Sequence, residues 1–261
     1  MSGKTLLGHN AVHMCGRFAL YTPPAKIARY FQANLAEGPE GEHAPSWNVA
    51  PTDSVLGVRD RPARLPEQNP QAEGPAEGGG EPERILMSFR WGLIPWWSKD
   101  AKAGSRLFNA RGETVATRAS FREAFRERRI IVPADGFYEW HKTKTGTRQP
   151  HYFNRADGQP LAFAGLAERW RDKNAGPDAP LIRSCTVITT SAGPDMSGIH
   201  DRMPVILDPA LFDVWLDPAN EDVEGLRALL RPPPTGTVVH HPVGTRIGNV
   251  RNNDPALIES V

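Results

Sequence analysis

The chain has 261 residues, 39% of them hydrophobic, and its 31 Lys and Arg nearly balance 30 Asp and Glu to leave a formal charge of +1. That length can bury a sizeable core in one large or two small domains, and the balanced charge means that any nucleic-acid surface must come from a local cluster of cations. No apolar run approaches the roughly 18 residues that span a bilayer, the first residues are too polar for a secretory signal, and Cys15 and Cys185 stand in no zinc-ligand spacing.

The expectation is therefore a cytoplasmic monomer with no membrane attachment, no metal and no cofactor. The 24 glycines and 25 prolines come to nearly a fifth of the chain. Such a density of turn formers predicts short strands joined by many turns, an α+β fold in a single compact domain.

In chain order, residues 24–36 place Ile27, Tyr30, Phe31 and Leu35 at three- and four-residue spacing and predict a first helix. Residues 66–82 (PEQNPQAEGPAEGGGEP) are acidic and almost without large apolar side chains, so they cannot offset the entropy of their own ordering. Apolar runs flank them at 54–58 and 85–89, which predicts an insertion at the tip of a strand pair and not a linker between domains. Ser120 is placed to cap a helix bearing Phe121 and Phe125. The runs 129–132, 136–140, 161–166 and 183–190 are rich in β-branched or aromatic residues and predict strands. Asp208 and Pro209 open a helix ending near Leu216, and residues 223–230 predict a short amphipathic one.

Met14 followed by the small Cys15 has the form of a translation start. Cys15 would then be the mature N-terminus and residues 1–13 an extension absent from the mature protein. The amine of an N-terminal cysteine has a pKa near ~7.7–8.0, so much of it is free base near neutrality and attacks aldehydes. Its thiol, with an unperturbed pKa near ~8.5, can close on the resulting imine to give a five-membered thiazolidine. The competing reading is a small buried residue early in the first strand. Cys185, inside IRSCTVITT, reads as strand core.

In ADGFYEW, period-two alternation puts Phe137 and Glu139 on one face of a strand, with Tyr138 and Trp140 on the other. Aromatic neighbours would raise the Glu139 pKa and suit it to move protons between an amine, a carbinolamine and water; a solvated strand end is the alternative. His200 opens HDRMP on a loop, where it is either a general acid or a plain surface residue. Asn109, in LFNARGET, offers a donor and an acceptor for orienting a substrate or the N-terminal amine. In RWGLIPWW, Trp91 is expected in the core, while a turn at Pro95 would leave Trp96 and Trp97 exposed to stack on splayed bases. Arg17, Arg111, Arg118 and Arg202 neighbour these residues and carry guanidinium forks suited to phosphates, although each taken singly is more often a solvated surface charge.

Taken together, MCGRF at 14–18, WNVAPT at 47–52, RWGLIPWW at 90–97, NARGET at 109–114, ADGFYEW at 134–140, VITTSAGPDMSGIHDRMPVIL at 187–207 and HPVGTRIGNVRNN at 241–253 resemble the SRAP family, the SOS-response-associated peptidase or abasic-site-processing proteins. The resemblance covers residues 14–261 as one domain interrupted by the 66–82 insertion. It implies a compact α+β fold with a curved, largely antiparallel sheet system and a few short helices.

For the site, the resemblance implies that Cys15 forms a thiazolidine with the ring-opened deoxyribose of an abasic site. Asn109, Glu139 and His200 would then position and protonate it, and Arg17, Pro51, Trp96, Trp97, Arg111, Thr189 and Arg202 would line a channel for single-stranded DNA. It also implies autoprocessing that exposes the cysteine, strand cleavage by a lyase route, a place in the DNA damage response, and association with the nucleoid. One departure is that 13 residues precede Met14; either translation starts at Met14 or a leader is removed. Two other functions fit the same residues: a thiol peptidase with Cys15 as nucleophile, His200 as base and Asn109 as orienter, and a non-covalent single-strand binder using Trp96, Trp97 and the arginines.

Overall fold

The structure is a computed structural model that describes residues 15–36, 43–61, 82–176 and 178–261. The proposed 1–13 extension and all of the 66–82 insertion except Pro82 lie outside the described residues. The chain runs through β1 (Phe18–Leu20), α1 (Pro24–Tyr30), β2 (Asn34–Leu35), β3 (Ser46–Val49), β4 (Ser54–Arg61) and β5 (Glu83–Trp91). It continues with β6 (Asn109–Arg111), α2 (Arg122–Glu127), β7 (Arg129–Ala134), β8 (Gly136–Lys142) and β9 (Arg148–Arg155). It ends with β10 (Leu161–Trp170), β11 (Ile182–Ser191), β12 (Arg202–Pro204), α3 (Phe212–Leu216), α4 (Val223–Ala228) and β13 (Val238–Pro242).

These strands make two sheets. The smaller has the order β13-β9-β8-β1-β3 and is antiparallel throughout. The larger has the order β12-β11-β10-β7-β4-β5-β2, with β6 added in parallel beside β11. A further parallel pairing sets Ser184 opposite Arg90 and Cys185 opposite Trp91, so that β11 also bonds β5 and the run β11-β10-β7-β4-β5 closes into a ring. Closure joins two strand edges, and the core built on the ring buries Phe163, Cys185 and Trp91 on one face of the sheet and Ile131 on the other. The expected α+β domain with largely antiparallel sheets is what forms, and Trp91 and Cys185 are core residues as read from the sequence.

The small sheet packs on this ring through one face and covers a second cluster with the other. Phe18 of β1 meets Trp91 at 5.0 Å and Phe163 at 6.1 Å between ring centroids. Phe137 belongs to the same main core, whereas Tyr138 joins Tyr152, Val243, Ile247 and Leu257 on the opposite side, as the alternation of β8 requires. The start of β8 has no room for a side chain: a Cβ on Gly136 would lie 2.3 Å from the Tyr152 ring and 2.5 Å from the Phe153 carbonyl oxygen.

The helices are shorter than the sequence suggests. The apolar spacing of residues 24–36 continues past Tyr30, yet α1 stops there. Gln32 takes φ +54, and Ala33 and Gln32 donate to the carbonyls of Ala28 and Arg29, which closes the helix in a Schellman motif. Leu35 consequently lies in β2, 41% exposed. Ser120 does not cap α2; Phe121 holds that position without a side-chain cap, and the Arg118 carbonyl takes the Phe121 and Arg122 N–H groups. Phe121 and Phe125 are buried as expected. Asp208 caps the turn leading into α3, and Asp222 caps α4.

Candidate active site

The register of β1 on β8 brings the site together. Phe18 pairs with Phe137 and Ala19 with Gly136, so residues just before β1 meet residues just after Phe137. The Tyr138 N–H donates to the Arg17 carbonyl at 3.0 Å. One step further, the main-chain nitrogen of Cys15 donates to Oε1 of Glu139 at 2.6 Å.

Both partners are secluded, with Cys15 1% exposed and Glu139 2%. Burial drives the Glu139 pKa up to about 7; the N–H groups of Cys15 and Trp140 pull it down, and the charge of Asp201 adds to the rise. The Cys15 thiol is pushed well above its ordinary range by the same burial and by the Glu139 charge. Cys15 also holds a left-handed backbone, φ +37, a region that non-glycine residues rarely occupy.

The other two expected groups come from the large sheet. Asn109 starts β6, and its Nδ2 donates to the Cys15 carbonyl at 3.4 Å, tying one sheet to the other across the site. His200 sits in the connection from β11 to β12, where its Nδ1 accepts the Arg202 N–H at 3.0 Å. The same Nδ1 lies 3.1 Å from the Asp201 carboxylate, a contact that a proton on Nδ1 would satisfy. Glu139 and His200 open onto one cleft of about 880 Å³, with Gly16, Arg17 and Pro51 also in its wall. A carboxyl group titrating near neutrality and an imidazole facing the same space can exchange protons with a substrate held there.

The residues expected to contact DNA divide. Arg17 and Pro51 line the cleft. Arg17 is braced from behind, donating to Asn48 Oδ1 at 2.7 Å and to the Ile247 carbonyl at 2.9 Å. Trp96 and Trp97 are 48% and 51% exposed. The Trp96 indole N–H reaches Glu123 at 3.2 Å, and the Lys173 ammonium lies 5.4 Å from its ring. Arg111 is exposed at the end of β6. Thr189 and Arg202 are elsewhere engaged. Thr189 is fully buried, and Arg202 forms a bidentate pair with Glu113 while also donating to the Thr189 carbonyl and hydroxyl at 2.8 and 3.1 Å. Arg118 lies over the Phe121 ring at 5.5 Å.

Some site residues escaped the sequence reading. Asn48 is 4% exposed; besides holding Arg17 it donates to the carbonyls of Asn249 at 3.0 Å and Asn252 at 2.8 Å, pinning the C-terminal segment behind the cleft. Its place in WNVAPT is a signal that could have singled it out. Lys142 and Arg148 also line the cleft; the run HKTKTGTR, a turn flanked by cations, is their trace in the sequence. Among the described residues, no group of three or more His, Cys, Asp or Glu is placed to hold a metal ion, and no helix is long and apolar enough to cross a membrane.

Fold and site together define a single-domain α+β protein in which a buried cysteine meets a carboxyl group of near-neutral pKa at the seam of two sheets. The chain belongs to the SOS response associated peptidase (SRAP) family, which it matches over residues 14–250. It is 37% identical over 247 residues to the abasic site processing protein YoqW of Bacillus subtilis (strain 168), covering 95% of this chain and 100% of that protein. It is 31% identical over 276 residues to the abasic site processing protein HMCES of Gallus gallus, covering 94% and 77%. A crystal structure of a protein from Bordetella bronchiseptica matches with a TM-score of 0.68 at 28% identity, over 88% of this chain and 100% of that one. A Bacteroides thetaiotaomicron protein shares the fold with a TM-score of 0.76 at 23% identity, over 95% and 100%.

Proposed function

We propose that this protein processes abasic sites in single-stranded DNA by capturing them covalently through Cys15. The observation that carries the reading is the 2.6 Å contact between the Cys15 nitrogen and the Glu139 carboxylate. The substrate class follows the names of the relatives. Once Cys15 is the first residue, that nitrogen is an amine held against a group able to take its proton.

The chemistry balances with the loss of one water. His200 acts as the acid and base that opens the closed sugar to its aldehyde. Glu139 takes a proton from the Cys15 ammonium, and the free amine adds to the aldehyde carbon to give a carbinolamine. Glu139 then returns the proton to the departing hydroxyl, which leaves as water, and an imine forms. The thiol adds to the imine carbon while its proton passes to the nitrogen, closing the thiazolidine. The Asn109 amide, bonded to the Cys15 carbonyl, fixes the orientation of the nucleophile. Removal of the residues before Cys15 by autoprocessing, strand scission by elimination from the imine, and action as a cytoplasmic monomer on nucleoid DNA belong to the same proposal.

The thiol-peptidase alternative has less to support it. It needs a thiolate, which the burial of Cys15 disfavours, and an Asn109 that orients His200, whereas Asn109 donates to the Cys15 carbonyl. The test uses protein whose chain starts at Cys15, incubated with a single strand carrying one abasic site. A heat-stable adduct is expected with the mass of protein plus DNA less one water, absent from Cys15→Ala and from chain extended before Cys15. An adduct that survives Cys15→Ala would overturn the proposal.

A further inference from the structure

We infer that the tip of the β8–β9 hairpin is a phosphodiester-binding element in which Lys142 and Arg148 together hold the DNA strand beside the captured nucleotide. The inference rests on reading the cleft as a single-strand site and adds a contact that the sequence motifs do not supply. Lys142 and Arg148 are the last pair of the ladder, directly opposite each other. Opposed residues on antiparallel strands share a face with Cβ atoms about 4.5–5.5 Å apart, and like charges so placed repel. The acidic side chains in the same cleft wall, Glu139 and Asp201, are turned to the Cys15 nitrogen and to His200. Residues 140–155 contain no acidic side chain, and among the described residues no ion pair reaches either cation. An anion between them would turn the repulsion into a shared attraction.

The same two side chains stand in the wall of the cleft that holds Glu139 and His200. Trp140 and His141 separate Lys142 from Glu139, about 10 Å along the strand, and the alternation of β8 puts Lys142 on the Trp140 side, so the cations border the cleft beyond the reacting carboxyl. The tip that presents them is stiffened. The Thr143 N–H donates to the Thr147 carbonyl at 2.9 Å, hydroxyls of Thr143, Thr145 and Thr147 interlock at 2.7 to 3.2 Å, and Gly146 supplies the φ of +85 that closes the turn. In a chain of net charge +1, uncompensated cations confined to one cleft edge are the kind of local cluster that phosphate binding requires.

The experiment measures equilibrium binding of an intact, non-abasic single strand across a salt series for the wild type, for Lys142→Gln/Arg148→Gln, and for the charge-preserving Lys142→Arg/Arg148→Lys. Losing two phosphate contacts should lower the slope of log K against log salt by about 1.4, at ~0.7 per contact on single strands. The charge-preserving variant should keep the wild-type slope, and the Gln variant should melt no lower than wild type because both side chains are exposed. An unchanged slope in the Gln variant overturns the inference, as does a wild type that binds no single strand. Binding to intact DNA does not depend on the Cys15 chemistry. A missing adduct alongside a changed slope sinks only the covalent reading, and an unchanged slope alongside a normal adduct sinks only the hairpin.

Discussion

Cys15 and Glu139 lie 124 residues apart in the chain, and the main-chain nitrogen of one donates to the carboxylate of the other at 2.6 Å. Burial pushes the Glu139 pKa up to about 7 while the Cys15 nitrogen is an amide, an ammonium there draws it down, and the carboxyl can serve as acceptor in one step and donor in the next. Adduct formation is expected to be fastest near pH 7 and to slow on either side. Glu139→Gln keeps an oxygen for the Cys15 nitrogen but cannot carry a proton, so single-turnover crosslinking should fall by about 10²–10⁴-fold, and between pH 6 and 8 it should keep only the rise that follows deprotonation of the Cys15 amine. A variant as fast as wild type throughout that range would remove Glu139 from the proton path.

The same group makes stability depend on pH. Its folded pKa of about 7 lies above the ordinary 4.5, so between those values the folded state binds the proton that the unfolded chain releases. Stability contributed by the protonated carboxyl is full below about pH 4.5 and declines as pH rises through 7. At pH 8 the buried charge costs on the order of 3 kcal/mol, and Glu139→Gln should recover much of it. Urea unfolding at pH 5 and pH 8 measures this: the variant should gain on wild type at pH 8 and match it at pH 5, and equal differences at both would contradict the burial effect.

Asn48 illustrates a structural role close to the site. Its side chain accepts from Arg17 and donates to two carbonyls in the C-terminal segment while almost fully buried. Asn48→Ala removes all three bonds, leaving Arg17 its bond to the Ile247 carbonyl, and is expected to cost about 1–3 kcal/mol in urea unfolding at about 0.5–1.5 kcal/mol per hydrogen bond. A loss under half a kcal/mol would mean that these groups find other partners.

Of the exposed tryptophans, Trp97 makes the cleaner test of base stacking, because Trp96 is engaged by Glu123 and Lys173. Trp97→Ala should weaken binding to intact single strands by about 1–3 kcal/mol, the worth of one stacked base. Its melting temperature should stay near wild type, as the side chain is 51% exposed. Unaltered affinity would exclude Trp97 from the DNA surface.

Local patterns in the sequence foretold local features. The alternation in ADGFYEW placed Glu139 on the core side of β8, and strand composition placed Cys185 inside β11. What the pattern could not carry was decided by backbone geometry or distant contacts. The apolar spacing of 24–36 continued past the end of α1 because the stop is the left-handed Gln32, and glutamine is no customary stop signal. Nothing in HDRMP announces that Arg202 is paired with Glu113, 89 residues away. Likewise the parallel pairing of β5 with β11 joins segments whose sequences bear no mark of each other.

The left-handed φ of Cys15 bears on the bond in front of it. That torsion is defined by the carbonyl carbon of the preceding residue, and for a residue with a side chain the left-handed region costs roughly 1–2 kcal/mol. Cutting the bond abolishes the torsion itself: the new amine rotates freely about its own Cα while Glu139 stays within reach. On the proposed maturation, the folded protein therefore acts as a ratchet. It holds the blocked cysteine under tension, and the release of that tension favours the trimmed chain over the intact one.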